Sequence, residues 1–194
     1  MEFQTLRSNE NLAINESVIL TPNIIGDKRG FFFESWNQKK FDAAVGKKIV
    51  FCQDNHSRSV FGVLRGLHYQ LDPNAQGKLV RCTAGSIFDV AVDIRKSSST
   101  FGKWGGVELS YENKKQLWIP RGFAHGFLTT SEYAEVQYKT DGFWHKDSER
   151  SIRWDDKELQ INWQKYAKIN KPILAKKDAE APTFIEAKNN GDIF

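Results

Sequence analysis

At 194 residues the chain is long enough for one well-filled core and short for two, and its 40% hydrophobic and 13% aromatic content excludes a disordered tail. No apolar run approaches the roughly 20 residues a membrane helix needs, and the opening MEFQTLRSNENLAINES lacks the basic-then-apolar pattern of a secretory signal, which predicts a cytoplasmic protein. The net charge of +4 is modest, so the late lysines (Lys165, Lys168, Lys171, Lys176, Lys177) read as solvated surface and not as a nucleic-acid stripe.

Residues 1–17 are polar and lack a clear period, as an arm or an edge strand would. Val18-Ile19-Leu20 is a short apolar run stopped by Thr21-Pro22, and Gly26 to Gly30 is a turn cluster. Phe31-Phe32-Phe33-Glu34-Ser35-Trp36 then predicts an aromatic strand buried on both faces. Asn37 to Val45 predicts one short helix closed by Gly46. Lys48 to His56 reads as a strand with Phe51, Gln53 and Asn55 on one face and Cys52, Asp54 and His56 on the other. Cys52 and Cys82 are isolated and predict reduced core residues without a metal or disulfide role.

Val63 to Arg81 (VLRGLHYQLDPNAQGKLVR) predicts two strands joined as a hairpin through a loop holding Pro73 and Gly77. Strict alternation puts Arg65 and His68 on opposite faces. A β-bulge at Gly66 returns both to one cavity at little steric cost. Ser86 to Arg95 alternates cleanly, with Phe88, Val90, Val92 and Ile94 against Ile87, Asp89, Ala91 and Asp93. Val107 to Tyr111 and Gln116 to Ile119 are further strands, the second stopped by Pro120-Arg121-Gly122. In Ala134 to Thr140, Tyr138 shares the apolar face with Ala134 and Val136, so its phenol points inward. Turns and tryptophans follow, and residues 155–194 read as a partly helical tail packed on the barrel. Evenly spaced short strands in one domain, 1–194, predict an all-β jelly roll, barrel or sandwich, with a few short helices.

The chemistry concentrates in the central stretch. A neutral imidazole (His68) accepts a proton, an ammonium (Lys78) holds the negative charge that proton removal creates, and both Arg65 and Lys78 would hold the imidazole neutral. Asp89, Asp93 and Asp178 are the carboxylates available to orient such a ring, and the residues alone leave the choice open. Pro120-Arg-Gly-Phe-Ala-His125 has the form P-x-G-x-x-H and resembles the second motif of the cupin jelly rolls. The stretch corresponding to the first cupin motif is Gly66-Leu-His68-Tyr-Gln, which leaves His68 and His125 without a third ligand and predicts a metal-free site.

Eight segments occur in order: G-D-K-R-G-F-F-F-E-S (26–35), Q-D-N-H-S (53–57), L-R-G-L-H-Y-Q (64–70), Q-G-K-L-V-R (76–81), F-D-V-A-V-D-I-R (88–95), F-G-K-W-G-G-V-E-L (101–109), Q-L-W-I-P-R-G-F-A-H-G-F (116–127) and A-E-V-Q-Y-K (134–139). Together they resemble the dTDP-4-dehydrorhamnose 3,5-epimerases, from about residue 17 to 183. The resemblance implies a cupin-type jelly roll without a cofactor, acting on a dTDP-linked 4-keto-6-deoxy sugar whose C3 and C5 protons are acidic because both carbons flank the ketone. It implies His68 as base, Asp178 of Lys177-Asp178-Ala179 as its carboxylate, Lys78 as the oxyanion partner and Tyr138 as the acid on the opposite face. Arg29, Glu34, Gln53, Asn55, Arg65, His125, Glu149 and Lys177 fall where the family holds the nucleotide sugar, and Phe143-Trp144 is an aromatic stretch suited to stacking on thymine. A homodimer is implied as well, with Arg29 and Glu34 acting on the partner's site. The departures are few: Ile25 replaces a common aromatic, Trp163-Gln164 stands where the family has Trp-Pro, and Lys176 adds a lysine before Lys177-Asp178. The rivals are a mono-epimerase or 3,4-ketoisomerase on the same scaffold, and a non-catalytic carbohydrate-binding jelly roll. A base, an oxyanion cation and an acid all present argue against the last.

Overall fold

A computed structural model of the chain describes residues 1–194. Its strands are β1 (Glu2–Arg7), β2 (Ala13–Thr21), β3 (Ile25–Asp27), β4 (Gly30–Phe32), β5 (Gln53–Val60), β6 (Leu64–Gln70), β7 (Lys78–Ala84), β8 (Ser86–Asp93), β9 (Trp104–Ser110), β10 (Gln116–Ile119), β11 (Phe123–Thr129), β12 (Tyr133–Thr140) and β13 (Glu149–Ser151). The helices are α1 (Gln38–Val45), α2 (Lys176–Ala179) and α3 (Phe184–Asn189). The strands pair into a six-stranded sheet, β1-β2-β10-β7-β12-β5, and a five-stranded sheet, β13-β6-β11-β8-β9, while β3 and β4 form a separate ribbon. Two antiparallel sheets face to face make the all-β jelly roll of cupin type.

Side-chain alternation explains three apolar layers. Inward residues of both sheets (Val80, Cys82, Ile87, Ala91, Leu117, Phe127, Val136) fill the space between them. The opposite face of β8 (Phe88, Val90, Val92) packs with Leu159, Ile161, Trp163, Phe184 and Ile193 from the chain's end. The outer face of the six-stranded sheet takes Phe41 of α1 against Leu79 and Trp118. Each fully buried Leu, Ile or Phe in these layers contributes about 1.5–3 kcal/mol. Helix α1 begins where the Asn37 side chain accepts from the Lys40 amide at 3.1 Å and ends at Gly46 in the left-handed region, φ 74°.

The predicted bulge is present. His68 pairs with His125 and Arg65 with Phe127, so three steps along β6 match two along β11. Gly66 sits at φ 130°, and a Cβ there would lie 2.5 Å from Gly126 Cα and 2.8 Å from the His125 carbonyl oxygen. Only glycine fits.

Four local readings are corrected. β6 and β7 are not a hairpin: they lie in different sheets, and residues 71–77 cross from one to the other. The pattern of two apolar runs around a Pro/Gly loop is the same for a hairpin and for a sheet-to-sheet crossing. The aromatic run from Phe31 is no buried strand; β4 pairs only with β3, and Phe31 and Phe32 are 47% and 70% exposed. The strand read at 48–56 begins at Gln53 and continues to Val60, and Cys52 before it is exposed, while Cys82 is buried; both thiols are free. β11 was invisible to alternation because all seven of its residues, FAHGFLT, are buried, sandwiched between β6 and β8 with covered faces on both sides. No helix is long and apolar enough to cross a membrane.

Candidate active site

Between the sheets lies a cavity of about 490 Å³, a size suited to a small organic ligand. It gathers His68, Lys78, Tyr138 and Asp178, together with Asn55, Arg65, His125, Trp144, Glu149 and Lys177. His68 and Arg65 reach it from β6 because the bulge turns both toward one side. Lys78 and Tyr138 come from the facing sheet, on neighbouring strands where Tyr138 pairs with Val80 and Thr140 with Lys78. The imidazole and the phenol therefore stand on opposite walls.

Behind His68 is Asp178, its carboxylate oxygen Oδ1 2.5 Å from Nε2 and the residue only 1% exposed. Of the three carboxylates left open by the sequence, this one meets His68. Asp89 instead meets His125, Oδ1 to Nε2 2.6 Å, and Asp93 accepts from Arg95, Ser98 and Thr100 away from the cavity. With Nε2 donating to Asp178, the other ring nitrogen of His68 carries the free lone pair. Burial holds the imidazole below the ordinary histidine range; Asp178 opposes this through its hydrogen bond and charge, and the Lys177 and Lys78 cations add to it. The ring is neutral at pH 7. Arg65, expected to share in this, turns its guanidinium to Ser59 Oγ (3.0 Å) and the Arg58 carbonyl.

Lys78 places its ammonium 3.3 Å from the His68 carbonyl oxygen. Burial pushes its pKa down to about 8, Asp89 and Glu149 work to keep it charged, and Lys177 works against them. Asp89 is fully buried and its Oδ2 has no hydrogen-bond partner, so its charge is spent on His125 and Lys78. The sequence had offered Asp89 only as a partner for a histidine. Its field on Lys78 was unreadable without the fold. Burial raises the pKa of Tyr138, Glu149 adds to the rise and Arg65 opposes it; the hydroxyl has no protein hydrogen bond and stays a phenol. Lys177 and Glu149 pair on the cavity wall at 2.9 Å.

Four expected residues stand outside this cavity. Arg29 is on the detached ribbon, held 2.5 Å from Asp27, and Glu34 bonds Lys40 (2.7 Å) and Asn37 (3.1 Å). Neither reaches this chain's own cavity. Gln53 accepts the Trp144 amide at 3.0 Å and donates to Asn55, so it props the wall one layer back. Phe143 is 69% exposed beside Trp144, which does line the cavity. Both histidines of the cupin-like motifs spend a ring nitrogen on their own carboxylate, and no group of three or more His, Cys, Asp or Glu side chains is arranged to hold a metal ion.

The family model described as dTDP-4-dehydrorhamnose 3,5-epimerase matches residues 11–186. A dTDP-4-dehydrorhamnose 3,5-epimerase of Shigella flexneri is 59% identical over 174 residues, covering 90% of this chain and 94% of that protein. Among solved structures, the corresponding enzyme of Elizabethkingia anophelis NUHP1 superposes with a TM-score of 0.86 at 45% identity, covering 96% of this chain and 98% of that one. A 3,5-epimerase of Legionella pneumophila Philadelphia 1, solved in complex with dTDP-4-keto-L-rhamnose, gives a TM-score of 0.86 at 46% identity over 96% of each chain.

Proposed function

The chain belongs to the dTDP-4-dehydrorhamnose 3,5-epimerase family, and from that premise we propose how its own side chains divide the work. It is an isomerase that inverts C3 and C5 of dTDP-4-dehydro-6-deoxy-D-glucose, giving dTDP-4-dehydro-L-rhamnose. His68 takes the proton from the carbon next to the ketone. The C–H electron pair moves onto the C4 oxygen, where the Lys78 ammonium meets the developing enolate. Tyr138 delivers a proton to the other face of the same carbon, and inversion results. Asp178 orients the His68 ring and stabilises the imidazolium once formed.

The observation that carries this reading is the division of the walls: a neutral imidazole on one sheet, and a phenol with an ammonium beside it on the other. A site that binds without reacting has no use for that opposition. Arg65, His125, Asn55 and Trp144 surround the substrate, and Arg65 suits the diphosphate because its guanidinium fork matches phosphate oxygens. The reading requires no metal or organic cofactor, since proton transfer next to a ketone needs only these side chains. We place the enzyme in the cytoplasm, in keeping with its two free thiols.

We also propose a homodimer in which the ribbon of one protomer, carrying Arg29, serves the site of its partner. The exposed Ile25, Phe31 and Phe32 (64%, 47% and 70%) supply the apolar surface such a contact buries. Mixing an Arg29→Ala chain with a His68→Asn chain then restores part of the activity, because one site of the hybrid is intact. No restoration in a confirmed hybrid would end the dimer reading.

Incubation in D₂O with dTDP-4-dehydro-6-deoxy-D-glucose, followed by NMR, tests the chemistry. Deuterium enters at both C3 and C5, and a ketoreductase with NADPH traps dTDP-L-rhamnose. Exchange at one carbon only would make this a mono-epimerase. Exchange at neither would refute the mechanism.

A further inference from the structure

Each inversion leaves His68 as imidazolium and Tyr138 as phenolate. A second carbon of the same bound sugar reacts only after one proton has left the first group and one has reached the second. With a sugar held between His68 and Tyr138, the reset is served best by a route to water that does not pass through the sugar. A second cavity adjoins the first. The Glu149–Lys177 pair lines both the active cavity and a second cavity of about 410 Å³, whose other walls include Tyr69, Arg150, Glu180 and Asp192. That second space lies at β13, the edge strand of the five-stranded sheet, and reaches solvent beside the 65% exposed Glu180.

Register places Glu149 well for the task. Glu149 pairs with Gln70 and Ser151 with His68, so Glu149 is the diagonal same-face neighbour of the base, about 7–8 Å away by sheet geometry. Its charge is felt by both Tyr138 and Lys78 on the opposite wall. Lys177, 2.9 Å from Oε1, holds the carboxylate at the partition.

We propose that Glu149 is the proton-relay residue that resets base and acid between the two inversions, exchanging protons with water of the second cavity. The proposal rests on His68 and Tyr138 having the roles given above. The carboxylate accepts the proton that His68 releases and returns one to the Tyr138 phenolate. No net charge accumulates, and no bond other than O–H and N–H changes.

The test uses the full chain with Glu149→Gln and Glu149→Ala, whose folding is checked by thermal melting, and Glu149→Asp as the variant that keeps a carboxylate. In D₂O, kcat of the Gln and Ala variants falls about 10- to 100-fold, the low end of what a proton-transfer group supplies. Sugar deuterated at a single carbon accumulates, and formate added at constant pH and ionic strength restores the rate of the Ala variant in proportion to its concentration. Glu149→Asp retains most of the activity without formate. If instead KM alone rises, or the lost rate ignores formate and no singly exchanged sugar appears, Glu149 is a binding residue and the relay is overturned. Absence of exchange by the unaltered chain would overturn the epimerase mechanism and the relay together; a normal unaltered chain with formate-insensitive variants overturns the relay alone.

Discussion

Replacing Asp178 by Asn separates catalysis from folding. In the resting enzyme Asp178 is an almost fully buried carboxylate hydrogen-bonded at 2.5 Å to a neutral imidazole. When His68 takes a proton, the pair becomes an ion pair. Unit charges about 4 Å apart interact by about 4 kcal/mol at an effective dielectric near 20, and asparagine forfeits this while keeping an oxygen for the same hydrogen bond. At about 1.36 kcal/mol per tenfold, the loss is about 10³ in kcat. Stability moves little: asparagine removes a buried charge and keeps the bond from His68, losing only the long 3.5 Å bond that Asp178 Oδ2 accepts from the Gly66 amide, so the unfolding free energy stays within about 1 kcal/mol. The acid limb of kcat/KM moves to lower pH, because the carboxylate's bond and charge are what hold the His68 pKa up against burial. Steady-state turnover across pH, with urea denaturation on the same samples, gives all three quantities. A kcat within threefold of the unaltered chain, or a rate loss matched by an equal loss of folded protein, would refute the argument.

Tyr138→Phe retains exchange at the substrate carbons, because His68 still removes a proton and returns a deuteron to the same face, while epimerised product falls by about 10²–10⁴; equal loss of both by NMR would deny the phenol its separate role. Activity of the unaltered chain follows a bell in pH. It is lost below the ordinary histidine range as His68 protonates and lost above about 8 as Lys78 gives up its proton, and Lys78→Arg removes the alkaline limb whatever its absolute rate. Gly66→Ala forces a Cβ to 2.5 Å from Gly126 Cα at φ 130°, which costs about 3 kcal/mol or more in urea unfolding from backbone strain and overpacking together; a change below about 0.5 kcal/mol would mean that β6 runs as a regular ladder in solution.

What the sequence made legible followed from local rules. The cap and stop of α1 were readable from Asn37 and Gly46, the inward face of Tyr138 from alternation, and the bulge from the need to bring Arg65 and His68 together across a glycine. What was hidden needed contacts far apart in the chain. Asp178 lies 110 residues from His68, and only family resemblance singled it out among three aspartates. β11 carries no polar alternation because both its faces are covered, and β13 is three residues long, too short to show a period. The phenylalanines at 31 and 32 misled in a different way: a run of phenylalanines means burial, but the single chain leaves Phe31 and Phe32 exposed.

The misread hairpin explains the site better than a hairpin would have. Two strands paired in one sheet present their side chains to the same wall, so His68 and Lys78 would have stood side by side with nothing facing them. Because residues 71–77 cross between the sheets, one short segment of sequence supplies His68 to one wall and Lys78 to the other. The crossing is pinned: Asp141, at the end of β12, accepts the Gly77 amide at 2.6 Å and is itself held by Arg121 at 3.1 Å. Lys78 follows Gly77 directly, and Tyr138 precedes Asp141 by three residues. The same carboxylate therefore fixes the spacing between the ammonium and the phenol. Inversion needs a base and an acid that cannot reach the same face of a carbon, and two facing sheets joined by a hydrogen-bonded crossing meet that need.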